Sequence, residues 1–293
     1  MRELLLKNAI PIEIPAVKDS MKRAIVAGSQ VDLCSGSLAE DFLNLFVKRL
    51  GAFSFKETFF AQFKDVQPCN GAIHAFEAFY LRNCDRRLRF FSGDFIYHQI
   101  IGRLTSMITP TAISAEDPLR PGDSLIISVP FSGDGNIQTD LEEVLGTCAE
   151  NKIPVLLDMA YLPLVKDIPA LGAIDTVEDV VFSLSKFSRG LERIRLGIRL
   201  RKDFVDDQIG AASSIGMTNN LGFFVGAEVL RDFPLNFPYI EYVEKQSLLC
   251  KELSLDQSDC VIFGVGDDDK YSEFNRFGIN RVCLSELMEG HNE

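Results

Sequence analysis

The chain of 293 residues has no tryptophan, and its histidines number three, at positions 74, 98 and 291. With so few histidines and no Cys-x-x-Cys pair, a metal-centred site is poorly supported. The seven cysteines are odd in number and scattered, which suggests no disulfide framework and points to a reducing, cytoplasmic setting. Long apolar runs are missing as well. The three leucines at positions 4–6 are too few for a signal core, and no later stretch approaches the roughly 20 residues of a membrane span. Positive charge is scarce: 30 Lys and Arg against 42 Asp and Glu give a net charge of -12. Phosphate backbones need a basic face, so nucleic acid is excluded as a partner, and an anionic membrane surface repels such a chain. There is no internal repeat and no low-complexity tract.

What is present suits a globular α/β protein. Hydrophobic residues make up 46%, enough to bury a full core as one large domain or as a large domain with a small one. Short β-rich runs alternate with helical stretches through the middle of the chain, the pattern of a mostly parallel sheet covered by helices. Strands are predicted at 87–91, 124–129, 154–157, 180–184 and 196–200. A helix is predicted at 140–151, capped by Thr139 and carrying acidic residues in its first turn. Another is predicted at 72–81, entered through Asn70-Gly71. Residues 1–30 read as an arm or irregular lead-in. A boundary near Val205 separates a large domain, 31–205, from a remainder, 206–293, with a charged helix at 239–253 and a last strand at 280–284.

Three segments carry chemistry. Val181-Phe182-Ser183-Leu184-Ser185-Lys186 runs a buried strand into a lysine, placing an amine where open α/β sheets hold their ligands. Desolvated there, the amine is a usable nucleophile toward a carbonyl. Read alone, the motif better describes a surface lysine just past a strand. Val155-Leu156-Leu157-Asp158-Met159-Ala160-Tyr161 ends an apolar strand on a carboxylate. A buried Asp needs a cationic partner or it protonates, and a pyridinium nitrogen would serve. The alternative is a carboxylate that caps the next turn. In Asn70-Gly71-Ala72-Ile73, small residues open a helix and leave free N–H groups suited to an anion, unless this is an ordinary glycine turn.

Taken in order, these segments resemble the large domain of the class I/II aminotransferases, the fold type I pyridoxal-phosphate enzymes related to aspartate aminotransferase. The resemblance implies a three-layer α/β/α fold with a mostly parallel central sheet and a large domain that binds pyridoxal 5'-phosphate. Asn70, Gly71, Ala72 and Ile73 resemble the family's phosphate-binding turn, and Phe95 falls where an aromatic ring stacks on the cofactor. Asp158 and Tyr161 match the Asp-x-x-Tyr pair that contacts the ring nitrogen and the phenolic oxygen. Lys186 matches the lysine that carries the cofactor as a Schiff base, with Ser183 and Ser185 as the cofactor-binding serines that flank it and Ser183 as the expected phosphate ligand. Arg195 in Arg195-Leu196-Gly197 is similar to the family's phosphate-clamping arginine. Gly36, in Val31-Asp32-Leu33-Cys34-Ser35-Gly36, resembles a lead-in near the substrate carboxylate. Arg281, in Asn280-Arg281-Val282-Cys283-Leu284-Ser285, resembles the arginine that holds that carboxylate, with a surface salt-bridge residue as the alternative.

The resemblance has departures. Ser132 stands where the family has an asparagine near the phenolic oxygen, and Arg193 competes with Arg195 for the phosphate. The resemblance implies a shortened member, with a reduced C-terminal small domain. The resemblance implies a homodimer and an aminotransferase acting on an α-amino acid, or else a decarboxylase, lyase or racemase of the same fold, or a degenerate non-catalytic relative. Arg82, Arg86, Arg87 and Arg89 read as a solvated connection or a subunit contact. Asp267-Asp268-Asp269 reads as a solvated acidic loop.

Overall fold

A computed structural model describes residues 4–172, 174–204 and 206–289, and of Leu104 the backbone only. Val205, at the expected boundary, and His291 lie outside the described residues.

Seven strands build the central sheet: β1 (Asp65–Cys69), β2 (Arg87–Phe91), β3 (Pro110–Ile113), β4 (Asp123–Ser128), β5 (Val155–Asp158), β6 (Val177–Ser183) and β7 (Gly197–Arg201). Their order across the sheet is β1-β7-β6-β5-β4-β2-β3. All run parallel except β7, which is antiparallel to both its neighbours. The central strands are apolar on both faces because helices cover both, as parallel sheets require. Leu125, Ile127, Val155, Leu157, Val180 and Phe182 point into one core. Ile126, Leu156 and Val181, one residue out of phase, point into the other. This is the three-layer α/β/α architecture.

Each predicted strand is present, displaced by at most three residues at either end. The helix predicted at 140–151 runs Leu141–Glu150, with Glu142 and Glu143 in the positively polarised first turn. Its cap position is Asp140 rather than Thr139, and no side chain caps it there. The first residues are more ordered than a lead-in. Helix Pro15–Gly28 buries Val17, Met21 and Ala24, and Ser20 Oγ donates to Asp232 Oδ2 at 2.6 Å on helix Asn220–Asp232. Ahead of it, Leu6 and Cys283 exchange backbone hydrogen bonds of 3.2 and 2.8 Å, tying the N-terminal segment to the C-terminal sheet. That smaller sheet is antiparallel, ordered β10-β11-β9-β8 from β8 (Asp256–Gln257), β9 (Phe263–Gly266), β10 (Asn275–Arg276) and β11 (Ile279–Cys283). Helix Phe237–Leu253 lies beside it. No helix among the described residues is long and apolar enough to cross a membrane.

The arginine cluster is not a solvated connection. Arg89 and Asp123 are both 0% exposed and pair at 2.9 Å, and Arg87 reaches the same carboxylate at 2.8 Å. Arg82 pairs with the buried Asp179 of β6. These charges offset one another where strands begin, so removing one partner leaves a bare buried charge. Asp123→Asn is therefore expected to destabilise the protein by about 3–5 kcal/mol, read as a lower urea midpoint at unchanged slope. A midpoint equal to wild type would show that Arg89 is held by the Thr111, Asp117 and Pro118 carbonyls alone.

Candidate functional site

Strands β4, β5 and β6 end side by side on Ser128, Asp158 and Ser183. A cavity of about 450 Å³ opens against these carboxyl ends, of the size that holds a small ligand and where open parallel sheets place one.

Lys186 follows β6 by three residues, is half-buried, and lines this cavity. Its Nζ donates to the Ala9 carbonyl and lies 5.6 Å from the Tyr161 ring centre. Tyr161 is itself on the lining, braced edge-on by Phe263 at 5.9 Å. Asp158 is 6% exposed at the cavity floor. One of its oxygens accepts from the Ala160 N–H at 3.0 Å, so it does cap the following turn. The other lies 3.4 Å from Ser128 Oγ. That hydroxyl has a single proton and a far shorter bond, 2.5 Å, to Asp94 Oδ1, so Asp158 Oδ2 is left to accept from something else. Burial pushes the Asp158 pKa up to about 7, and the neighbouring Asp94 adds to the rise.

Gly71, Ala72 and Ile73 form the opposite wall at the start of helix Ala72–Arg82. Gly71 has φ +74°, and a Cβ there would stand 3.5 Å from the Arg195 guanidinium. The positive φ is what calls for glycine here, since a Cβ at that distance would make only ordinary contact with the arginine. Arg195 and Arg193 both reach the cavity, but Arg193 is 88% exposed and engaged with Glu192, whereas Arg195 faces the helix N-terminus. Ser183 and Ser185 are on the lining, with Ser183 Oγ donating to the Leu196 carbonyl at 3.0 Å. Phe95 and Ser132 complete the set. Phe95 is backed by Phe76 and by the edge of His98 at 5.7 Å. His98 is fully buried, bonded to the Tyr80 hydroxyl at 2.6 Å, and its pKa is lowered to about 3 by burial.

Three expected residues lie elsewhere. Asn70 is exposed outside this cavity, with its N–H directed to His74 Nδ1 at 3.3 Å. Gly36 is exposed ahead of helix Ser37–Leu50, with no atom within 4 Å of where a Cβ would be. Asn8 and Ala9 line the cavity in its stead. Arg281 is 0% exposed and not on the lining: it donates to the Ser132 and Lys7 carbonyls and covers the Phe263 ring at 4.3 Å. Conversely, Asp94, Ser128 and Arg276 belong to the site and were not expected. Asp94 could have been suspected as a carboxylate directly before the Phe95 aromatic.

No protein-family model matches the sequence, and no curated protein does. Solved structures do. The histidinol-phosphate aminotransferase of Clostridium acetobutylicum matches with a TM-score of 0.65 at 12% identity, over 96% of this chain and 95% of that one. The aromatic aminotransferase of Pyrococcus horikoshii OT3 matches at 0.64 and 17% identity, over 96% and 92%. The tyrosine aminotransferase of Leishmania infantum gives 0.64 and 12%, over 96% and 89%. The chain has the fold these aminotransferases share, with its seven-stranded, mostly parallel sheet.

Proposed function

We propose that the protein is a pyridoxal-phosphate-dependent aminotransferase acting on an α-amino acid, with Lys186 as the residue that carries the cofactor. The observation behind the proposal is the convergence on one cavity of Lys186, Asp158, Tyr161, Arg195 and the N-terminus of helix Ala72–Arg82. The donor set fits the group. The helix N-terminus and Arg195 offer N–H donors to a phosphate. Asp158 Oδ2 offers a buried acceptor to a ring N–H, and Phe95 and Ala160 offer apolar surface to a flat ring.

Pyridoxal phosphate supplies an aldehyde that takes up amino groups and a ring that accepts an electron pair from the α-carbon. The protein supplies position and protons. Asp158 would hold a cationic ring nitrogen, and that charge would in turn bring its own pKa down from about 7. Tyr161 would direct its hydroxyl at the ring oxygen, and Lys186, once released, would remove and return the α-proton as acid and base. The N-terminal segment at Asn8 and Ala9 closes one side against water. A homodimer is part of the same proposal.

The test is the absorbance of the purified protein with added cofactor, before and after borohydride, followed by peptide mapping and product analysis with amino acids. Cofactor fixed to Lys186, with a keto acid formed, supports the proposal. Carbon dioxide or ammonia as product would replace transfer by decarboxylation or elimination, and a protein that stays colourless would end the proposal.

A further inference from the structure

A second buried carboxylate lies beside Asp158. Asp94 is 0% exposed and is not itself on the cavity lining. The Ser128 hydroxyl stands between the two, donating to Asp94 Oδ1 at 2.5 Å and lying 3.4 Å from Asp158 Oδ2. Two carboxylates this close in a desolvated place do not ionise equally. Their donors decide which one does. Asp94 accepts three hydrogen bonds: from Ser128 Oγ, from the Phe95 N–H at 2.7 Å and from the Ser128 N–H at 3.1 Å. That is the setting of an ionised carboxylate. Asp158 has one firm donor, the Ala160 N–H, and is the member that holds a proton when no cation faces it.

The topology fixes this row. Ser128 and Asp158 are register partners at the ends of the parallel strands β4 and β5, and β2 is the next strand over. Beyond β2 the Asp94 N–H closes a tight turn on the Phe91 carbonyl at 3.0 Å, which Gly93 allows with φ +94°. Asp158, Ser128 and Asp94 therefore come from three neighbouring strand ends. The charged and titratable groups around them leave the Asp94 charge uncancelled at contact. Lys186 attracts Asp158 and Arg276 attracts Asp94, but no described residue forms an ion pair with either carboxylate. Burial, Tyr97 and the two carboxylates keep the Tyr80 hydroxyl protonated, and burial keeps its partner His98 neutral.

We propose that Asp94 is a positioning residue for the cofactor's ring nitrogen, acting through Asp158. It takes the Ser128 proton, leaves Asp158 Oδ2 without a competing donor, and adds a second negative charge to the attraction for a ring cation. The proposal rests on the function proposed above.

The experiment compares two ligands of the whole chain: pyridoxal phosphate, and its analogue with carbon in place of the ring nitrogen. Their dissociation constants are measured by absorbance in wild type, Asp94→Asn, Asp158→Asn and Ser128→Ala. The pH is set above the Asp158 midpoint of about 7. Wild type is expected to prefer the ligand with the nitrogen. In Asp94→Asn that preference falls about tenfold, because a charge this near moves a carboxyl equilibrium by one unit or more. The carbon analogue binds as in wild type, whereas a merely structural role would weaken both ligands alike. Ser128→Ala keeps both charges and is expected to keep the preference. Borohydride-fixed cofactor on Lys186 in each protein shows that the cavity is intact. An unchanged preference in Asp94→Asn would overturn the proposal alone. So would a loss in Ser128→Ala as large as that in Asp158→Asn, a comparison that decides even where Asp94→Asn does not fold. A wild type without any preference would overturn it as well. Failure of wild type to fix cofactor on Lys186 would overturn the proposed function and this assignment together.

Discussion

Lys186→Ala is expected to keep the fold and lose at least about 10⁴-fold of the amino-transfer rate, the upper range for one positioned acid–base group. The asymmetry follows from the surroundings. In the fold, Nζ makes one hydrogen bond, to the Ala9 carbonyl, and Lys186 is half-buried at the edge of the cavity, so its loss lowers stability by only about 1–3 kcal/mol. In the proposed reaction it would have two tasks, holding the cofactor and moving the α-proton. Among the described residues it is the lysine on the cavity lining, and no neighbour can stand in. Native circular dichroism and a cooperative urea transition lowered by no more than that loss, with no borohydride-fixed cofactor, are the expected results. Cofactor still fixed in the variant would move the anchor to another lysine.

The readable parts of this site share one property: they sit at the ends of elements that the sequence marks strongly. The run from Val155 to Leu157 is buried on both faces, so a carboxylate next in line has to emerge at the strand's end. Lys186 follows the run through Phe182 in the same way, and Gly71 lies between β1 and a helix. The mostly parallel sheet was legible from the alternation of β-rich and helical runs, and the three-layer arrangement from the family resemblance. Side-chain direction was not. Every residue of β11 from Asn280 to Cys283 is buried, so the motif around Arg281 located the strand but did not say that its guanidinium turns away from the cavity. Gly36 failed for the opposite reason. Its motif lies in an exposed turn, while positions 6–9, read as part of an arm, are placed by the Leu6–Cys283 pairing far along the chain. Buried ion pairs such as Arg82 with Asp179, 97 residues apart, leave no local trace, because each partner reads as an ordinary surface charge until the strands meet. The antiparallel course of β7 is equally silent, since its run Gly197–Arg201 would look the same in either direction.

Asp158→Asn is expected to have opposite effects on the empty and the loaded protein. In the empty protein the folded-state pKa is about 7, above the roughly 3.9 of an exposed aspartate. Between these values the native state binds more protons than the unfolded chain, so stability falls as pH rises through that window and levels off above it. The shift corresponds to at most about 4 kcal/mol. Burial also raises Asp94, while charge partners and hydrogen bonds lower Asp117 and Asp207, so the contribution of Asp158 has to be read as the difference between wild type and variant. Without cofactor, that difference is expected to turn in favour of Asp158→Asn as pH increases from about 4 to about 8. With cofactor the order inverts. A ring cation beside Asp158 makes its ionised form the favoured one, binding releases the proton, and asparagine cannot supply the charge. The variant should then bind the cofactor more weakly and turn over about 10²–10³-fold more slowly, the size of effect seen when one preorganised charge-stabilising group is removed. Urea unfolding across pH, with and without pyridoxal phosphate, measures both halves. Parallel curves for wild type and variant in the empty protein would mean that Asp158 is ionised there without any ligand, held by Lys186 and the Ala160 N–H, and a cationic ring would no longer be needed to account for its burial.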